Sequence, residues 1–195
     1  MTSNKPLSPR KKELLKHGKL LILSKGYTAT TVDAIVEGVG ITKGAFYYFF
    51  KSKDEFAREL LDYNWLPVRH AQEELRSQNI DPLEHLYQHI DFMVEFVPEH
   101  GRLMGIISNE LSERDPEISK QMQGFFSEWT EYLEEIITLT RAQYAPDSDL
   151  TPKNLMEFIL MTIEGAPVVN RQLGTEAVHH AVDHLKAYIK SLFTS

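Results

Sequence analysis

Thr42, Lys43, Tyr47 and Tyr48 stand within the run GITKGAFYYFFKSK, from Gly40 to Lys53. These residue types suit an anionic, grooved partner. A threonine hydroxyl beside the free N–H groups of a helix start can bind phosphate. Lys43 can reach a guanine edge or a phosphate, and the tyrosines can place hydroxyls on phosphate oxygens and rings against sugars or thymine methyls. Gly44 and Ala45 are small enough to let a helix backbone approach base edges. Lys53 stands where it could grip the flanking backbone, and Thr30 and Thr31, a short way upstream, complete the set of DNA-facing candidates. The chemistry is that of a reader of double-stranded DNA.

Helices must carry these side chains. Four Xaa-Pro pairs mark helix starts: Ser8-Pro9, Asp81-Pro82, Asp115-Pro116 and Thr151-Pro152. The first residue caps free N–H groups, and proline loses nothing where its own N–H would be unpaired. The first helix is expected from Pro9 to Lys25, ending at Gly26 as a left-handed cap. A short second helix, capped by Thr30 or Thr31, repeats Val32, Ile35, Val36 and Val39 at i, i+3, i+4, i+7. A third begins at Thr42, and a fourth at Ser52, where Ser-Lys-Asp-Glu reads as a capping box. On the third helix, Phe46, Phe49 and Phe50 fall on the inner side, leaving the tyrosines outside. A short helix, a glycine-bearing turn and a second short helix make a helix-turn-helix, whose second member can lie in the major groove.

Pro67 is expected to kink or end the fourth helix and Pro98 to interrupt the next segment. The remaining helices then fall at about 81–97, 101–112, 116–143, 152–173 and 176–193. The fold class is all-α with about nine helices. Residues 1–60 form the helix-turn-helix domain, and residues 61–195 form a larger helical domain for effector binding and dimerisation.

Charge supports this division. Residues 1–60 hold eleven Lys/Arg against six Asp/Glu, leaving +5, whereas ten against twenty-two leave −12 in the remainder. Only the front is suited to an anionic partner. The absence of cysteine excludes disulfides and thiolate chemistry. No apolar stretch suits a signal peptide or a membrane span, which fits a cytoplasmic protein. No phosphate loop, nucleophile elbow or Ser/His/Asp arrangement points to an enzyme, and no cofactor is implied.

The stretch from Lys25 to Phe56 resembles the DNA-binding domain of the TetR/AcrR family of bacterial regulators. The resemblance rests on Gly26-Tyr27, Thr30-Thr31, Gly40-Ile41-Thr42-Lys43-Gly44, Phe46-Tyr47-Tyr48 and Phe50-Lys51-Ser52-Lys53. It departs at Phe49, where the family often carries Tyr or His. The segments GRLMGIISNELSERDPEI and FILMTIEGAPVVNRQL are similar to the C-terminal domain of one subgroup. Some members of that subgroup sense electrophiles through cysteine, a chemistry this chain lacks. The resemblance implies a homodimer on a palindromic operator, a small-molecule pocket in the back domain, and a four-helix interface built by the last two helices.

In the back domain, Leu155, Phe158, Ile159, Thr162 and Ala166 form one apolar stripe, and Val178, Val182, Leu185, Ile189 and Leu192 form another. Together they predict a dimer interface. Large or flexible apolar residues are candidates for the pocket lining: Phe92, Met93, Phe96, Met104, Ile107, Phe125, Phe126, Trp129, Phe158 and Met161. Asn109, Tyr132 and Glu164 could orient a ligand there. His85 and His89, and separately His180 and His184, stand at i, i+4 and offer a metal-responsive alternative, although neither pair has a HExxH pattern or a nearby carboxylate set at ligand spacing beyond chance. A further alternative is a DNA-binding dimer whose back domain only dimerises.

Overall fold

The computed structural model describes residues 7–193, and every element within them is helical. In chain order these are α1 (Pro9–Lys25), α2 (Val32–Val39), α3 (Lys43–Phe49), α4 (Lys53–Ser77), α5 (Pro82–Leu111), α6 (Pro116–Tyr144), α7 (Pro152–Leu173) and α8 (Thr175–Phe193). All four Xaa-Pro pairs start helices. Ser8 accepts from the Lys11 N–H, Asp81 from those of Leu83 and Glu84, and Asp115 from that of Glu117. Thr151 starts α7 without a side-chain cap.

Eight helices, not nine, lie among the described residues. α4 runs through Pro67 and α5 through Pro98. An interior proline removes one backbone hydrogen bond, but buried Val68 next to Pro67, and buried Phe96 and Val97 before Pro98, keep those segments packed. No described helix is long and apolar enough to cross a membrane.

The chain divides into two compact units. One contains the chain up to Leu66 and Gly101–Gln123; the other contains Pro67–His100 and Gly124–Ser195. The front unit thus takes in a segment well beyond residue 60. Its core gathers Leu14, Leu15, Ile22, Tyr27, Ile35, Phe46, Phe50, Phe56, Leu60, Trp65, Leu103 and Ile107. Gly18 permits a close approach there, because a Cβ at that position would lie 2.3 Å from the Phe56 ring. The segment after residue 101 is tied in by polar bonds. The Glu110 carboxylate accepts from the N–H groups of Tyr27 at 3.3 Å and Thr28 at 2.7 Å, and Arg102 donates to the Leu23 carbonyl at 2.7 Å.

The second unit has its own core, with Val68, Leu86, Ile90, Met93, Trp129, Leu133, Ile137, Ile159, Ile163 and Ile189 buried. α7 packs on α8. Arg69 grips Glu128 with two hydrogen bonds of 2.9 and 2.8 Å, and Lys186 pairs with Asp91 at 2.5 Å.

Candidate functional site

The reading element is built from two capped helices and a left-handed glycine. Thr31 caps α2 by accepting from the Ala34 N–H at 3.1 Å. Gly40 then takes φ 69 and ψ 39, a conformation that costs glycine little. Its N–H reaches the Glu37 carbonyl, while that of Ile41 reaches back to Val36 at 3.0 Å. The chain reverses there into α3, where Thr42 accepts from the Ala45 N–H at 3.2 Å. That bond uses a hydroxyl lone pair, so the Thr42 O–H remains able to donate to a phosphate.

The aromatic run separates by face. Phe46 and Phe50 are buried, their rings 5.1 Å apart, and each contacts Phe56. Tyr47 and Tyr48 are 49% and 83% exposed. Phe49 is intermediate between these extremes and lies edge-on to Tyr48, with 5.2 Å between ring centroids. Thr42, Lys43 and Gly44 are exposed on the same short helix and Ala45 is half-buried. Lys43 donates to Asp33 at 3.0 Å, and that bond holds its pKa above the ordinary lysine value. An exposed pair of this kind contributes little and can exchange for a phosphate contact.

Two of the DNA-facing candidates lie elsewhere. Thr30 is fully buried, and its hydroxyl donates to the Gly26 carbonyl at 2.7 Å, so it secures the turn between α1 and α2. Lys53 lies over the Tyr27 ring at 4.1 Å and donates to the Thr28 carbonyl at 3.3 Å. Burial lowers its pKa. Gly26 has a positive φ of 87, but its ψ of 166 is not that of a left-handed helical cap.

In the back unit, Leu155, Ile159, Ala166, Val178, Val182, Leu185 and Ile189 are buried within the single chain. The seam they form is intramolecular, which corrects their assignment to a surface between subunits. What α7 leaves outside is its other face. Phe158, Met161 and Val168 are exposed at steps of three and seven, with Gly165 and half-buried Thr162 among them. Tyr188 of α8 is also exposed and packs edge-on against Phe158 at 5.7 Å. Phe158 and Met161 therefore cannot line an interior pocket of this chain.

Of the remaining pocket candidates, Met93, Phe96, Phe125 and Trp129 are buried in the second unit and Phe92 is half-buried, whereas Phe126 is exposed. Met104 and Ile107 belong to the front unit. Tyr132 is buried, but Asn109 and Glu164 are exposed. His85 and His89 do not form an open pair for a metal. The Tyr132 hydroxyl engages His85 Nε2 at 2.6 Å, and the Trp129 indole engages His89 Nε2 at 3.1 Å. His180 lies 3.9 Å from Glu176, and no group of three or more metal-ligating side chains occurs among the described residues. Sequence reasoning passed over buried Gln72. The signal for it was present, since Val68, Gln72 and Leu75 share one face of α4 at i, i+4, i+7 and all three are buried.

A capped helix-turn-helix with an exposed hydroxyl-rich and basic second helix defines a DNA-binding regulator. Comparison with known proteins gives the family of this helix-turn-helix. Residues 14–60 match the model described as bacterial regulatory proteins, tetR family. The chain is similar to the HTH-type transcriptional repressor DhaR of Mycobacterium sp. (strain GP1), at 24% identity over 82% of this chain and 81% of that one. It is 37% identical to the HTH-type transcriptional repressor KstR2 of Mycolicibacterium smegmatis, over 44% of this chain and 41% of the other. In fold it resembles a TetR-family transcriptional regulator from Cytophaga hutchinsonii, with a TM-score of 0.78 and 20% identity over 98% of this chain and 100% of that one. Residues 14–60 thus form a domain of the tetR-family regulatory type, and the relatives with which the chain aligns are named transcriptional repressors.

Proposed function

We propose that the protein is a homodimeric repressor that places α3 of each copy in successive major grooves of a palindromic operator and is released by a small molecule. The observation that carries the reading is the division of the aromatic run. Phe46 and Phe50 hold α3 from within, while Tyr47 and Tyr48 stand outside beside Thr42 and Lys43. Thr31, Gly44 and Ala45 complete the contact surface, and Lys53 joins it if its ammonium leaves the Thr28 carbonyl. The names of the repressors DhaR and KstR2 support the sign of regulation.

The outward face of α7, with Phe158, Met161 and Val168, and Tyr188 of α8 supplies the contact with a second copy. Exposed apolar side chains contiguous on a helix face favour burial against a partner. Release follows if the effector binds better to a dimer whose reading heads depart from the spacing of successive grooves, about 34–36 Å.

Fluorescence anisotropy on the DNA flanking the protein's own gene, run at several salt concentrations, tests the reader. Tyr47→Ala is expected to weaken binding on the order of tenfold with no change of oligomeric state. Phe158→Asp is expected to give a folded monomer by sedimentation equilibrium. Wild-type affinity in the first variant would overturn the contact surface, and a wild-type monomer would overturn the dimer.

A further inference from the structure

The interior of the second unit holds polar side chains that DNA reading does not use. Gln72 of α4, His89 of α5, and Trp129 and Tyr132 of α6 are all buried. The Trp129 indole N–H donates to His89 Nε2 at 3.1 Å, and the His89 and Tyr132 rings meet at 4.7 Å. The Tyr132 hydroxyl reaches the Gln72 backbone carbonyl at 3.4 Å. Gln72 through its backbone carbonyl and His89 through its ring thus both contact Tyr132.

The protonation of His89 follows from its partner. An indole nitrogen can only donate, so His89 Nε2 accepts. Burial pushes the His89 pKa down to about 3, and His85 adds to the effect. The ring is therefore neutral at ordinary pH, and its single proton sits on Nδ1. That Nδ1–H is buried without a protein partner, and so is Gln72 Nε2. Unpaired buried donors are costly and uncommon. Both belong to residues that touch Tyr132, and both call for the same thing, an oxygen that accepts.

The surroundings set the rest of the ligand. Phe92, Met93 and Phe96 follow His89 on α5 at i+3, i+4 and i+7, and Phe125 precedes Trp129 by one turn of α6. Among the described residues no Asp, Glu, Lys or Arg is buried. Arg69 and Arg76 lie over the Phe125 and Tyr132 rings, but each is already engaged by a glutamate, Glu128 and Glu135. A carboxylate would therefore find no unpaired counter-charge, and an ammonium would meet donors instead of acceptors.

Resting on the small-molecule reading above, we propose that His89 and Gln72 form the recognition end of the effector site. The effector is an uncharged molecule whose carbonyl-type oxygen accepts from both, with an aromatic or aliphatic body against Phe92, Met93, Phe96 and Phe125.

Calorimetric titration of the full chain with 4-phenylbutan-2-one, butylbenzene and 4-phenylbutan-2-amine tests this. The ketone is expected to bind about tenfold more tightly than the hydrocarbon, and the amine, a cation at neutral pH, more weakly than either. In Gln72→Leu the ketone should fall to the hydrocarbon's level while the hydrocarbon is unaffected, and His89→Phe should act likewise. Should His89→Phe fail to fold, Gln72→Leu carries the test. Ligand-free Gln72→Leu should melt at or above the wild-type temperature, because it removes an unpaired donor. Equal binding of ketone and hydrocarbon, preference for the amine, or no binding by all three would overturn the proposal. A marked fall in the melting temperature of Gln72→Leu would do the same, since its amide would then be satisfied inside the folded chain. A ketone that binds as expected but leaves the protein on its DNA would instead overturn release by an effector and leave the site standing.

Discussion

The front and back units are specified in different ways. In the front, residue identity matters: Thr42 caps α3, Gly40 turns left-handed, and Tyr47 and Tyr48 face outward where Phe46 faces in. In the back, pattern matters, because α7 and α8 repeat apolar residues with helical spacing and most of those positions accept any residue of suitable size. DNA has a fixed shape and a fixed array of acceptors and donors, so a surface that fits it is restricted by chemistry. A helix seam is restricted mainly by volume.

The comparison breaks most readily at the joint between the two demands on α3. Phe46→Ala should destabilise the front unit by about 3–5 kcal/mol, measured by urea unfolding, and abolish DNA binding with it. A variant that kept wild-type stability would show that Phe46 does not anchor the reading helix. Acid should act on the back unit through His89. Its folded pKa lies far below the unfolded value, so the unfolded chain takes the proton first. The stability contributed by the neutral ring is complete above about pH 6.5 and declines as pH falls toward 3. Between pH 6.5 and 5 the loss should reach about 2 kcal/mol, and His89→Phe should remove most of that dependence, His85 keeping a smaller part of the same sign. The smallest expected effect sharpens the capping argument. Thr42→Ala should cost about 1 kcal/mol, whereas Thr42→Asn should retain the cap and its stability while losing the hydroxyl proposed to donate to phosphate.

Local chemistry made much of this legible in advance. All four Xaa-Pro starts, the caps at Thr31 and Thr42 and the turn at Gly40 depend on a few adjacent residues, and each stands where the sequence placed it. The sorting of Phe46 and Phe50 from Tyr47 and Tyr48 was legible for the same reason. Pro67 and Pro98 misled because the outcome at an interior proline depends on distant packing, which outweighed one lost hydrogen bond. Thr30 could not be told from Thr31 by type. Only the fold sends one hydroxyl to Gly26 and leaves the other at the helix start. Which stripe of α7 faces α8 was likewise hidden, since both stripes share one period and similar apolarity. His85 and His89 show the same limit. Their spacing suggested a metal, whereas the partners that engage them, Tyr132 and Trp129, come from a helix far along the chain.

The chain's two tryptophans fall one to each unit: Trp65 is buried in the front unit and Trp129 is bonded to His89. The molecule is thereby optically indexed. Trp65→Phe leaves emission from Trp129 alone, where the neighbouring imidazole makes the signal sensitive to protonation and to anything that takes the site. Trp129→Phe leaves Trp65 to report on the front. Each half can thus be followed by light on its own, without attaching a dye.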